Sequence, residues 1–261
     1  MIKSYAKVNI FLEIVGKLDG FHKLHSLFVK IDLFDEIFVK KSEKFKSTYS
    51  GAKIESDILI KTEKVLRKHF EKINTDFEFD VHKKIPIGGG LGGASSNAAE
   101  VVKFLLEVND IVVTHEKLLE IGGEIGADVP FFLCNDAMIL CGVGKELTKP
   151  VFEIPKLWFV LHIPKFACIT KEIFAKIKPP YSRYEEVLSF ADCLKRCNDM
   201  QNVADEISCG LIAQSLKKLH NDNALKVAMS GSGSVCFAVF DGEKHIKNYR
   251  NNPEFIVCRS V

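Results

Sequence analysis

No stretch of this sequence approaches the roughly 18 consecutive apolar residues that cross a bilayer, so no membrane span is expected. Lys3, Lys7 and Glu13 interrupt the first apolar run, which speaks against a secretory leader, and a cytoplasmic location is expected. The eight cysteines (134, 141, 168, 193, 197, 209, 236 and 258) include no C-x-x-C pair, and several sit in apolar runs. They read as reduced core thiols and not as a zinc or disulfide framework. Net charge is only +2, with no basic stripe, so a nucleic-acid surface is not expected. Internal repeats and low-complexity tracts are missing too. What remains is 261 residues, 47% hydrophobic and 27% charged, enough for one large or two medium domains with a sizeable core.

The most unusual stretch is Pro86 to Ala99, PIGGGLGGASSNAA, with glycine at 88, 89, 90, 92 and 93. Glycine tolerates positive φ and lets another molecule come close to the backbone. Leu91 is a lone apolar pin among them. Ala94, Ser95 and Ser96 then open a helix, where a serine oxygen can accept from the first free N–H groups. Its apolar stripe is Ala98, Val101, Val102, Leu105 and Val108. A glycine loop feeding a helix N-terminus is suited to phosphate, because bare N–H groups and the positive dipole end face the anion. No Gly-Lys-Ser/Thr follows, so this is not a Walker A loop, and the spacing does not fit the dinucleotide fingerprint.

Ahead of the loop, residues 2–15 read as a strand carrying Lys7 and Asn9 on one face. Asp19-Gly20 signals a turn. Residues 27–40 read as a second strand region broken near Asp35-Glu36, 42–52 as polar and turn-like, 58–70 as a helix, and 77–82 as a strand. Beyond the loop helix, 115–125 reads as a helix, and Pro130 is expected to hold Val129 outside the α region. Asp128 then sits at a helix-to-coil junction between apolar segments. The residues alone leave it open between an ordinary helix-end aspartate and a functional one. Lys149-Pro150 marks a boundary, which divides the chain into 1–150 and 151–261. The second part reads as a strand at 157–163, a helix from Thr170, a loop at 178–183 and helices at 184–196 and 200–219. Strand, glycine turn and strand follow over 227–240, with a last strand at 256–258. The Ser-Gly-Ser-Gly-Ser turn at 230–234 is a second possible anion contact.

Four separated pieces occur in order: Ala6-Lys7-Val8-Asn9 with Asp19-Gly20-Phe21-His22, the loop Pro86–Ser96, Gly126-Ala127-Asp128-Val129-Pro130, and Met229-Ser230-Gly231-Ser232-Gly233. The set resembles the small-molecule kinases of the GHMP superfamily over nearly the whole chain. Asp-Gly-Phe-His and Gly-Ala-Asp-Val-Pro resemble the branch that phosphorylates a cytidine-diphosphate-linked methylerythritol in non-mevalonate isoprenoid biosynthesis. The resemblance implies a two-domain α+β fold, ribosomal-S5-like in the N-terminal ATP-binding domain and ferredoxin-like in the C-terminal domain. It implies ATP with Mg²⁺ and phosphorylation of a tertiary 2-hydroxyl of a small-molecule substrate, with neither nucleic acid nor membrane involved.

In the same resemblance Asp128 is the general base, and Lys7 stabilises charge on the transferring group. Pro86, Ile87, Gly88, Gly89, Gly90, Leu91, Gly92, Gly93, Ala94, Ser95 and Ser96 hold the ATP phosphates, and Ser95 or Ser96 reaches Mg²⁺. Asn9 lies near the acceptor hydroxyl, Phe21 and Phe174 stack on cytosine, His22 reads its edge and Thr170 is nearby. The sequence departs from the pattern at Asn198-Asp199-Met200-Gln201, where the resemblance calls for Asn-Asp-x-Glu, and at Cys168-Ile169-Thr170, where it calls for Val-Ser-Thr. Two other readings are a GHMP kinase with a homoserine or mevalonate acceptor, and a non-catalytic S5-like binding module.

Overall fold

The computed structural model describes every residue except 51–53, 55, 144 and 145. It holds two compact units, Met1–Ala6, Leu33–Ile85 and Gly92–Asn135 in the first, and Lys7–Asp32, Pro86–Leu91 and Asp136–Val261 in the second. β1 (Ile2–Leu18) and β2 (Phe21–Lys41) contribute residues to both. They pair as a hairpin whose turn is Asp19-Gly20, at φ +50° and +83°. Positive φ at both central residues suits a two-residue hairpin turn, which is what Asp-Gly signals.

In the first unit β2 runs past Asp35-Glu36 without the expected break. The fully buried Asp35 carboxylate accepts from the N–H groups of Lys84 and Ile85, each at 2.8 Å, and pairs with Lys83 Nζ. Its charge is satisfied in place, so the strand need not end there. Glu36–Lys41 of β2 lie antiparallel to β4 (Phe77–His82), and β3 (Lys46–Ser50) lies parallel on β4's other side. β3 corrects the turn-like reading of 42–52. Ser47 and Tyr49 send their hydroxyls to Asp57, which ties a polar segment down as a strand. Gly51 and Ala52 of that reading lie outside the described residues.

α1 (Ile58–His69) is capped by Asp57, whose Oδ1 accepts from Leu59 N–H at 2.8 Å. α2 (Gly93–Val108) buries Ala98, Val101, Val102 and Leu105, and Thr114 caps α3 (His115–Ile125). α4 (Val129–Leu133) is wholly buried. Val129 is its first residue, against the expectation drawn from Pro130. Proline in a first helical turn lacks only an N–H that would have no intrahelical partner.

In the second unit β5 (Met138–Cys141) pairs with Ser26–Phe28 of β2 and with β6 (Glu146–Thr148). Then come β7 (Trp158–His162), α5 (Thr170–Lys176), α6 (Phe190–Lys195), α7 (Gln201–Ile207), α8 (Leu211–Leu219), β8 (Lys226–Met229), β9 (Cys236–Phe240), a 3-10 helix at Glu243–Tyr249, and β10 (Phe255–Arg259). The order β10-β7-β9-β8, all antiparallel, is the 4-1-3-2 arrangement of a ferredoxin-like sheet. Its core joins Val160, Ala238 and Phe240 to Ile173, Ile212 and Ile246.

The helices here are shorter than expected. α6 starts only at Phe190, where Ser189 Oγ accepts from Asp192 N–H. The 200–219 pattern is broken at Cys209 and Gly210, with φ of +52° and +86°. Cys134, Cys168, Cys193, Cys236 and Cys258 are buried, while Cys197 and Cys209 are exposed. Burial pushes the Cys236 thiol up to about 12, which makes it an unreactive packing group. No helix among the described residues is long and apolar enough to cross a membrane.

Candidate functional site

In the second unit, Lys7 and Asn9 stand on one face of β1, and both are buried, Lys7 to 3% exposure. Lys7 Nζ donates to Asn9 Oδ1 at 2.5 Å and lies 4.7 Å from the centre of the Phe28 ring. Asn9 Nδ2 donates to Ser26 Oγ at 2.8 Å, and Ser26 Oγ donates to the Phe11 carbonyl at 2.5 Å. That relay fixes which way the Asn9 amide points. Its oxygen can only face the ammonium.

The first half of the glycine loop is tied to the same place. Lys7 N–H donates to the Leu91 carbonyl at 3.0 Å. Ser230 Oγ donates to the Gly90 carbonyl at 3.1 Å and accepts from Asn9 N–H at 3.2 Å, while Val235 N–H donates to the Gly89 carbonyl at 3.1 Å. The two glycine segments are too close for side chains. A Cβ on Gly90, at φ +75°, would sit 2.2 Å from the Ser230 carbonyl oxygen, and one on Gly89 would sit 2.6 Å from a Val235 methyl. Gly231, at φ +57°, faces Lys7 so directly that its Cβ would stand 3.3 Å from Nζ. The glycine turn at 230–234 therefore belongs to the loop and the lysine.

In the first unit the loop's second half becomes a helix end. Gly92, at φ +70°, is the cap residue of α2 and offers no side chain. The serines sit inside the first turn and do not cap it. Ser96 N–H is bonded to the Gly92 carbonyl at 2.9 Å, and its buried hydroxyl accepts from Ser4 Oγ at 2.8 Å. The N–H groups of Gly93, Ala94 and Ser95 have no partner within the helix, which is the usual state of a first turn and the basis of anion binding there. Ser95 is half-buried, and a Cβ on Gly126 would lie 3.9 Å from its Oγ. Asp128, two residues on, occupies the cap position of α4 without capping it by its side chain.

The cytosine-binding candidates divide. His22 stacks on Phe174, with ring centres 5.3 Å apart at 26°, and meets Tyr181 edge-on at 6.0 Å. Its Nε2 is buried with no hydrogen-bond partner. Burial pulls the His22 pKa down, Lys17 adds to this, and a hydrogen bond to the Ile177 carbonyl opposes it. In the neutral tautomer with its proton on Nδ1, the ring would offer Nε2 as an acceptor. Phe21, the first residue of β2, is 70% exposed. Thr170 does not cap α5, whose cap residue is Ile169. Its hydroxyl instead lies 2.8 Å from Ser232 Oγ on the glycine turn.

Sequence reasoning gave no structural role to Ser26 and Tyr181, read Asp35 only as a strand break, and noted Asn198 and Gln201 only as part of a departure from the resemblance. Gln201 stands where the resemblance called for glutamate. Its Oε1 accepts from Met229 N–H at 3.0 Å, a task an amide oxygen performs as well as a carboxylate. No periodicity or spacing carries such long-range bonds.

The second unit holds a glycine cradle that a Cβ on Gly89 or Gly90 would fill, beside a buried ammonium, and the first unit holds open N–H groups at a helix start; each is chemistry suited to phosphate. The family model for the GHMP kinases N terminal domain matches residues 57–136, and that for the GHMP kinases C terminal matches 185–252. A curated 4-diphosphocytidyl-2-C-methyl-D-erythritol kinase of Citrifermentans bemidjiense is 32% identical over 91% of this chain and 88% of its own length. Its counterpart in Thermosipho melanesiensis is 32% identical over 92% and 90%. The crystal structure of a 4-(cytidine 5'-diphospho)-2C-methyl-D-erythritol kinase superposes with a TM-score of 0.83 at 24% identity, covering 99% of this chain and 98% of that one.

Proposed function

The chain belongs to the 4-diphosphocytidyl-2-C-methyl-D-erythritol kinase family, and on that premise we propose that it moves the γ-phosphate of ATP to the tertiary 2-hydroxyl of a cytidine-diphosphate-linked methylerythritol, in non-mevalonate isoprenoid precursor synthesis in the cytoplasm. The observation that carries the choice of acceptor is His22. A half-buried, neutral imidazole with an unpartnered Nε2, set among Phe174 and Tyr181, suits the exocyclic amine of a cytosine, which donates where Nε2 accepts. Phe21 offers a ring face at the same end of β2. A homoserine or mevalonate acceptor has no flat, amine-bearing ring to use this arrangement.

The glycine loop and the open N–H groups of Gly93 to Ser95 hold the ATP phosphates, in the N-terminal domain proposed over 1–150, with 151–261 as the C-terminal domain. A tertiary hydroxyl is a crowded nucleophile, so alignment and proton removal are what the protein must provide. Asp128 accepts that proton. Lys7, its direction set by Asn9, stabilises the negative charge on the transferring group, and Asn9 lies beside the acceptor hydroxyl. Thr170, hydrogen-bonded to Ser232, borders the acceptor. Mg²⁺ neutralises charge on the phosphates when bound, and Ser95 is the better of the two serines to reach it, because the Ser96 hydroxyl is buried and engaged.

The test is ADP formation from Mg-ATP with and without the cytidylyl alcohol, for wild type and Asp128→Asn. Wild type is expected to turn over only with the acceptor. Asp128→Asn is expected to lose about 100-fold or more in kcat while nucleotide affinity holds. Near-full turnover of that variant would remove the base assignment and leave positioning and charge alone.

A further inference from the structure

We propose that Asn198 is a positioning residue for phosphate transfer, a latch that sets the glycine turn and, through it, both the phosphate loop and the Lys7 ammonium. Asn198 is 8% exposed, and both ends of its carboxamide are engaged. Nδ2 donates to the carbonyls of Met229 and Gly231, each at 2.8 Å, and Oδ1 accepts from Met200 N–H at 2.9 Å at the start of α7. Gln201 takes the N–H of the same Met229. The last residue of β8 is thus held by both backbone groups, and the turn's Gly231 by its carbonyl.

The latch is anchored to the strand that carries the lysine. Leu12 N–H donates to the Cys197 carbonyl at 3.0 Å, and Asp199 N–H donates to the Leu12 carbonyl at 2.9 Å. Asp199 Oδ2 also accepts from Ile14 N–H and from Ser182 Oγ, both at 2.7 Å. One end of the assembly is therefore β1, and the other is the turn whose Ser230 holds the Gly90 carbonyl and whose Gly231 lies against Lys7 Nζ. Asn198 is the side chain that closes this circuit. No atom of it need touch a substrate for its loss to be felt at the transferring phosphate.

Asn198→Asp tests this with shape kept. It replaces the donor by an oxygen facing two carbonyl oxygens, or by a hydroxyl that can serve only one of them. With Mg-ATP and the cytidylyl alcohol, kcat is expected to fall about 10- to 100-fold, the scale of an ångström-sized misplacement, with the acceptor KM within about threefold of wild type. Gln201→Glu keeps the oxygen that Met229 needs and is expected to match wild type. Gln201→Ala, at a half-exposed position, serves if Asn198→Asp does not fold, and is expected to lower kcat by about 3- to 10-fold.

The kinetic arm rests on the kinase reading. Hydrogen exchange does not. In Asn198→Asp, or in Gln201→Ala in its place, amides of 86–91 and 229–235 are expected to exchange faster while β7 and β10 keep their protection. Turnover within about twofold of wild type in both loss variants would overturn the latch. So would unchanged exchange at those segments, or faster exchange spread evenly over the whole unit. If wild type itself shows no cytidylyl-dependent turnover, the kinase reading fails, and the exchange pattern alone decides the latch.

Discussion

Replacing Gly90 by alanine separates a phosphate cradle from a tight turn. Gly90 has φ +75°, a backbone conformation that costs an alanine about 1–2 kcal/mol. Gly210, ahead of α8, has φ +86° and nothing within 4 Å of where its Cβ would go. Gly210→Ala therefore bears the backbone cost alone and is expected to lower Tm by about 2–8 °C without changing ATP turnover. Gly90→Ala adds an overlap. Its Cβ would lie 2.2 Å from the Ser230 carbonyl oxygen, where ordinary contact begins at 3.4 Å, so about 1.2 Å must be opened between loop and turn.

Both segments are backbone, hydrogen-bonded to each other and to β1, and neither can swing aside as a side chain can. If the loop presents the phosphates as proposed, a displacement of that size is expected to lower kcat/KM for ATP about 100-fold. Steady-state kinetics with varied ATP, alongside thermal melts of both variants, gives the comparison. If Gly90→Ala binds and uses ATP like wild type, or if Gly210→Ala loses ATP turnover as steeply, the close packing of loop on turn is not what presents the phosphate.

Three further outcomes follow from the same contacts. Asp35→Ala leaves the buried Lys83 ammonium and the N–H groups of Lys84 and Ile85 without their acceptor, and urea unfolding is expected to show a loss of about 3–5 kcal/mol; a loss under about 1 kcal/mol would contradict the clamp. For His22, whose folded pKa lies below the ordinary 6.5, the accepting lone pair is present at neutral pH and disappears as pH falls through that lowered value. The acceptor KM should stay flat above 6.5 and climb only below it, and a climb already in progress at pH 7 would contradict an imidazole held neutral. Phe21→Ala is expected to raise the acceptor KM with little change in the KM for ATP, and an unchanged acceptor KM would remove its stacking role.

Much of this could be read from the chain, and the parts that could not share a physical cause. The Asp19-Gly20 hairpin, the glycine loop opening α2 and the strand–turn–strand at 226–240 are local, with their signal in adjacent residues. Asp35 looked like a strand break because its partners, Lys83 to Ile85, lie far along the chain. Val129 looked extended because the steric rule for a residue before proline ignores what a first helical turn permits. Ser96 looked like a cap, yet its hydroxyl is taken by Ser4 and the cap is a glycine. The Asn198–Gln201 segment looked like a degraded motif, whereas its two amides hold the turn against which Lys7 rests. Hydrogen bonds between distant segments are what a linear pattern does not contain.

The most direct measurement offers the cytidylyl alcohol, homoserine and mevalonate together, at equal concentration, with limiting Mg-ATP, and identifies the phosphorylated product by phosphorus NMR and mass. The expected result is one new phosphomonoester, on the cytidine-bearing acceptor, absent with Asp128→Asn. Phosphate appearing on homoserine or mevalonate while the cytidylyl alcohol is untouched would contradict the assignment of this site.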